Sequence, residues 1–155
     1  MAISVGTKAP RFEVDSTAGR VKLEGLGKRL VLYFYPRDNT PGCTREAQAF
    51  AEKYEEFAAL DTEIWGVSKD SLASHERFKE KYSLPFPLLT DPGNEVARAF
   101  GAFGKKKMYG KEVEGVIRST FVIGPDGEVE AVWSPVKVPG HADEVLAKVR
   151  ELAGG

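Results

Sequence analysis

The chain of 155 residues carries 22 lysines and arginines against 23 aspartates and glutamates, with 42% apolar and 29% charged residues. Such a balance excludes an intrinsically disordered chain and leaves no net basic field to draw nucleic acid. No apolar run approaches the roughly 18 residues of a membrane-spanning helix.

Leu30 to Tyr35 is apolar at nearly every position and predicts a strand buried on both faces, stopped by Pro36. A helix signal opens at Thr40, a good N-cap, with Pro41 at the first helical position. Ala47, Phe50, Ala51, Tyr54, Phe57 and Ala58 recur at helical spacing and carry that helix to about Ala59. Glu63 to Ser68 reads as a second strand, and Asp70 or Ser71 caps a helix with Leu72, His75, Phe78 and Tyr82 on one side. Pro85 and Pro87 exclude a helix and leave a short extended piece toward Leu89. Asn94 to Phe100 fits a short helix.

The run from Gly101 to Lys107 fails the phosphate-loop spacing, because Glu112 follows Lys111 where serine or threonine is needed. A basic, mobile surface loop is expected over Lys105 to Lys111. Val116 to Ile123 predicts one continuous strand, turned at Gly124-Pro125-Asp126-Gly127 into a partner from Glu128 to Trp133. Ala142, Val145, Leu146, Val149 and Leu152 form the apolar stripe of a closing helix. Strand and helix patterns alternate, which predicts a single α/β domain over residues 1–155.

Cys43 is the only cysteine. In the predicted register it lies in the first helical turn, where free backbone N–H groups and the positive end of the helix dipole favour a thiolate. One cysteine builds no disulfide framework. The start of the sequence, Met1 to Gly6, lacks the pattern of a secretory signal. A cytoplasmic protein in a reducing compartment is therefore expected, with no membrane or nucleic-acid partner. His75 and His141 are the only histidines and have no second cysteine to complete a zinc set, so no metal is expected. His75 reads as structural. Arg118 stands inside an apolar-alternating stretch, where a permanent cation is unusual unless paired.

Pro36-x-x-x-Thr40-x-x-Cys43 resembles the active-site signature of the peroxiredoxins, and Thr40-Pro41-Gly42-Cys43-Thr44 narrows the likeness to the bacterioferritin-comigratory (PrxQ) branch. Gly6-Thr7-Lys8-Ala9-Pro10-x-Phe12, the stretch Leu84 to Asp91 and the stretch Arg118 to Ile123 resemble that branch's other blocks, in the expected order. The resemblance implies a thioredoxin-like fold with a central mixed β-sheet flanked by helices. It also implies a thiol peroxidase that needs no cofactor and reduces hydrogen peroxide and organic hydroperoxides.

In that reading Cys43 is the nucleophile, while Thr40, Gly42 and Arg118 bind peroxide and stabilise developing charge. Pro36 closes the pocket, and Glu46 orients Arg118. Many members carry a resolving cysteine five residues after the nucleophile; here that position is Gln48. The resemblance thus implies a one-cysteine peroxidase recycled by an external thiol: thioredoxin, glutaredoxin or a low-molecular-weight thiol. A monomer is expected, with a Cys43–Cys43 linked dimer as the alternative. The rival functional reading is a non-enzymatic peroxide sensor, in which Cys43 oxidation controls a partner.

Overall fold

A computed structural model describes residues 2–154. In chain order the elements are β1 (Glu13–Ser16), β2 (Gly19–Lys22), β3 (Arg29–Phe34), α1 (Pro41–Glu52), α2 (Tyr54–Ala59), β4 (Thr62–Ser68) and α3 (Leu72–Tyr82). They continue with β5 (Leu88–Thr90), α4 (Glu95–Ala99), β6 (Phe103–Met108), β7 (Lys111–Val116), β8 (Ser119–Ile123), β9 (Val129–Trp133) and α5 (His141–Gly154). Seven strands form one sheet in the order β2-β1-β5-β4-β3-β8-β9. β3, β4 and β5 run parallel at its centre, while β1 and β8 flank them antiparallel. This is the expected mixed sheet between helices.

Side chains alternate across a strand, so β3 divides its apolar residues between two cores. Val31 and Tyr33, with Tyr35 beyond the strand, join Phe50, Phe57, Phe78 and Val145 from the helices of one face. Leu30, Leu32 and Phe34 join Trp65, Val96, Phe100 and Phe121 on the other. Each large side chain buried this way contributes about 1.5–3 kcal/mol, which is why β3 is apolar throughout. Gly66 on β4 faces Tyr33, and a Cβ there would lie 2.9 Å from the tyrosine ring. That ring cannot retreat, being stacked on Phe50 at 4.9 Å and edged by Phe86 at 5.9 Å. Gly66→Ala is accordingly expected to cost about 1–3 kcal/mol by overpacking, read as a lower denaturation midpoint in urea.

Three local expectations need correction. The helix predicted from Thr40 to Ala59 breaks at Lys53 (φ −98°, ψ 1°) into α1 and α2, with the ring of Phe57 6.2 Å from that of Phe50. The predicted strand Val116–Ile123 is also interrupted: Ile117 and Arg118 leave the ladder between β7 and β8. There Ile117 N–H donates to the Ala102 carbonyl at 2.8 Å, and Val136 N–H donates to the Arg118 carbonyl at 2.9 Å. The expected loop Lys105–Lys111 is most of a hairpin, β6 paired with β7. Its turn residues Tyr109 and Gly110 both have positive φ (54° and 77°), the geometry of a tight hairpin turn. Lys105 and Lys107 face Glu114 and Glu112 across it, so the charges favour pairing where apolar alternation is absent. The β1–β2 hairpin was not predicted. Among the described residues no helix is long and apolar enough to cross a membrane.

Candidate active site

The register of the central strands assembles the site. Phe34 of β3 pairs with Ser119 of β8 in an antiparallel ladder. The residue after Phe34 and the residue before Ser119 therefore emerge at the same edge of the sheet. From that edge the chain after β3 turns into α1, and Arg118 projects toward it.

Thr40 is the N-cap residue of α1 (φ −89°, ψ 155°) and Pro41 follows in the first turn. Contrary to the simple capping expectation, the Thr40 hydroxyl makes no cap hydrogen bond. It donates instead to the Arg37 carbonyl at 3.0 Å, bracing the loop. The first helical amide to find an in-helix acceptor is that of Thr44, at 2.8 Å from the Thr40 carbonyl. Helix geometry leaves the N–H groups of Gly42 and Cys43 free of intrahelical partners, directed out of the helix start.

Cys43 is 2% exposed. Arg118 Nη2 donates to its Sγ at 3.2 Å, and Nη1 donates to Glu46 Oε1 at 2.6 Å. The two nitrogens of one planar group thus tie the sulfur to a carboxylate one turn further along α1. A lysine has no such fork. Gly42 lies against the same guanidinium, since a Cβ on it would be 3.4 Å from Nη2. Burial opposes the Arg118 charge, but Glu46 and Cys43 outweigh it and raise its pKa further. Arg118 is a permanent cation beside the sulfur.

Cys43, Gly42, Glu46 and Arg118 are therefore in contact or near contact. Thr40 and the half-buried Pro36 flank them on the loop from β3. Clefts of about 460 and 390 Å³ lie elsewhere on the surface and do not include Cys43. Two residues near the loop were not assigned to the site from sequence: Asp38, and His75 in any role beyond packing. Nothing in a local pattern joins them, because they are 37 positions apart.

Two buried groups here make opposite demands on pH. Glu46 is 1% exposed and Oε2 has no hydrogen-bond partner. Burial pushes its carboxyl up to about 7 against the pull of Arg118. His141 packs edge-on to Trp133 and Phe50, and burial together with the Arg118 charge pushes it down to about 4.

For Glu46 the native state holds a proton that the unfolded chain has already lost. Its stabilising contribution is complete below about 4.5 and is lost as pH rises through about 7. For His141 the unfolded chain binds the extra proton. That contribution is complete above about 6.5 and is lost as pH falls through about 4. The slopes oppose each other. Glu46→Gln is therefore expected to show a stability that rises more steeply between pH 4.5 and 7 than the wild type, in urea titrations across that range.

The sequence pattern of the AhpC/TSA family matches residues 5–132. Peroxiredoxin Bcp of Bacillus subtilis is 46% identical over 155 residues, covering 99% of each chain. The chain belongs to the AhpC/TSA family, in its Bcp/PrxQ branch of peroxiredoxins. The crystal structure of a PrxQ mutant from Xylella fastidiosa superposes with a TM-score of 0.92 at 36% identity, covering 99% of each chain. The bacterioferritin comigratory protein of Xanthomonas campestris, solved in trapped intermediate and ligand complexes, superposes with a TM-score of 0.87 at 42% identity over 92% of each chain. Within this branch the present peroxiredoxin holds a single cysteine, and the exposed Gln48 stands five residues after it.

Proposed function

We propose that this peroxiredoxin reduces hydrogen peroxide and small organic hydroperoxides through Cys43 alone and is recycled by an external thiol. The Cys43 thiolate attacks one peroxide oxygen; an S–O bond forms as the O–O bond breaks. Sulfur is oxidised to sulfenic acid, and the departing oxygen takes a proton from water to leave as water or an alcohol. Negative charge on that oxygen is met by Arg118 and the free amides of Gly42 and Cys43, while the Thr40 oxygen, its hydrogen given to the Arg37 carbonyl, accepts the peroxide O–H. Pro36 shields the sulfur without adding a competing N–H.

An external thiol then displaces water from the sulfenic acid to give a mixed disulfide. A second thiol releases reduced Cys43 and leaves as the external disulfide. The Xanthomonas campestris relative is described in connection with alkyl peroxide reduction, which supports organic hydroperoxides as substrates here.

The observation that carries this reading is the 3.2 Å contact of Arg118 Nη2 with Cys43 Sγ at the start of α1. Stopped-flow tryptophan fluorescence after mixing reduced protein with one equivalent of hydrogen peroxide tests it, with Cys43→Ser as control. The expected result is oxidation orders of magnitude faster than a free thiolate, absent from the serine variant. A rate no better than a free thiol overturns the proposal. Fast oxidation without repeated peroxide consumption in the presence of thioredoxin, glutaredoxin or glutathione favours the sensor instead.

With no second cysteine in the chain, excess peroxide in the absence of thiol is expected to carry Cys43 to sulfinic acid. Mass spectrometry would show two added oxygens on the Cys43 peptide; arrest at the sulfenic acid would contradict the scheme.

A further inference from the structure

Behind the Cys43 loop lies a buried polar cluster that the peroxidase chemistry leaves unused. Asp38, midway between Pro36 and Thr40, is 7% exposed, and His75 of α3 is 0% exposed. His75 Nε2 stands 2.9 Å from the Leu89 carbonyl oxygen, which can only accept, so Nε2 carries a hydrogen. His75 Nδ1 stands 2.7 Å from Asp38 Oδ2. Asp38 also accepts the Tyr35 hydroxyl on Oδ1 at 2.6 Å and the Ser74 hydroxyl on Oδ2 at 2.9 Å.

The Tyr35 and Ser74 hydroxyls thus both donate to this one carboxyl group. With Nε2 bearing its hydrogen, the 2.7 Å contact needs one further hydrogen, on Nδ1 or on Oδ2. Either placement leaves the count unchanged: the pair holds one proton more than an aspartate and a neutral histidine held apart. A buried charge pair is tolerable only when its remaining polar atoms are hydrogen-bonded. Here both carboxylate oxygens and both ring nitrogens have partners.

The cluster grips the loop at several points. Asp38 N–H donates to Asp70 Oδ2 at 2.8 Å, and the same oxygen accepts the Ser68 hydroxyl at 2.6 Å. Asn39, held at φ 61°, accepts the Tyr82 hydroxyl at 3.1 Å from the far end of α3. Thr40 closes back onto Arg37. The loop is thus fixed from the α3 side, whereas the sulfur is held by Arg118 of the segment before β8.

We propose that Asp38, fixed by Tyr35, Ser74 and His75, is a positioning residue for peroxide reduction. It sets the loop so that the Thr40 hydroxyl and the first amides of α1 meet the peroxide, while Arg118 secures the thiolate independently. The inference rests on the peroxidase reading of Cys43.

Two reactions of Cys43 separate these tasks. Hydrogen peroxide needs both the thiolate and the positioned donors; iodoacetamide needs only the thiolate. In Asp38→Asn the peroxide rate constant is expected to fall about 10–100-fold, the scale of small misplacements in an active site. Alkylation by iodoacetamide stays near the wild-type rate, and Tyr35→Phe, which removes one of the two hydroxyl donors, gives a smaller loss of the same kind.

Nitrogen-15 spectra of ring-labelled protein should show a hydrogen on His75 Nε2 and a second one shared between Nδ1 and Asp38 in the wild type. A folded Asp38→Asn with wild-type peroxide kinetics overturns the proposal. So do equal losses in both reactions, which would indicate general loosening. If Asp38→Asn does not fold, the same comparison on Tyr35→Phe decides. A wild-type protein no faster than a free thiolate overturns the peroxidase reading and the catalytic role with it, whereas the nitrogen spectra judge the His75 proton separately.

Discussion

Replacing Arg118 by methionine is expected to slow the reaction of Cys43 with hydrogen peroxide by about 10²–10³-fold, the cost of removing one donor from a site of developing negative charge. Methionine keeps much of the length and apolar body of the side chain but removes both hydrogen bonds, 3.2 Å to Cys43 Sγ and 2.6 Å to Glu46 Oε1. The fold should survive. Arg118 opposes the upward push of burial on Glu46, so without it Glu46 takes up a proton rather than standing as an unpaired buried charge. Arg118→Lys should recover only part of the loss, because one ammonium cannot reproduce the planar fork that serves sulfur and carboxylate together. Unlike Asp38→Asn, the methionine variant should also slow iodoacetamide alkylation at neutral pH, since the thiolate itself loses its cation. Stopped-flow rates for both reagents make the comparison. A folded Arg118→Met with an unchanged peroxide rate would remove Arg118 from the mechanism.

Gln48→Cys is expected to convert the end product of oxidation from sulfinic acid to an intramolecular disulfide. Gln48 is exposed, so the substitution itself should shift stability by no more than about 0.5 kcal/mol. The bond cannot form in the intact helix. Helix rise and radius put Cα atoms five residues apart at about 8–9 Å, beyond the roughly 7 Å limit for a disulfide. The first turns of α1 must therefore unwind.

Their hold is modest: the Thr40 side chain does not cap the helix, and no acidic residue in the first turn complements the dipole. Twelve residues of helix are marginal on their own. After one equivalent of peroxide, mass spectrometry should find the variant monomeric and lighter by two hydrogens, and circular dichroism should show a loss of helix that reductant reverses. Sulfinic acid in the variant, with helix content unchanged, would mean that α1 stays closed on Cys43.

β3, α3, α5 and the turn after β8 were legible because each is written in a local pattern. Apolar runs, helical spacing, proline stops and Pro-Asp-Gly turn chemistry act between near neighbours. The start of α1 was legible for the same reason: Thr40 and Pro41 place Cys43 in a first helical turn without reference to any distant residue. The β6–β7 hairpin was not, because its lysines carry no apolar alternation and only pairing with Glu112 and Glu114 across the turn gives them a strand's partner. The break at Ile117 and Arg118 was hidden too, since its hydrogen bonds go to Ala102 and Val136 rather than to a neighbouring strand.

The sequence by itself determined that the single cysteine stands in the first turn of a helix and that the chain holds no second one. Tertiary structure alone decided what surrounds that sulfur. Arg118 lies 75 residues from Cys43 and reaches it only because β8 pairs antiparallel with β3. Asp38 meets His75 only because α3 packs behind the loop. Glu46 has its raised pKa only because the fold takes water away from it. Propensity and periodicity are properties of neighbouring residues; electrostatic environment and burial exist only once distant segments have packed.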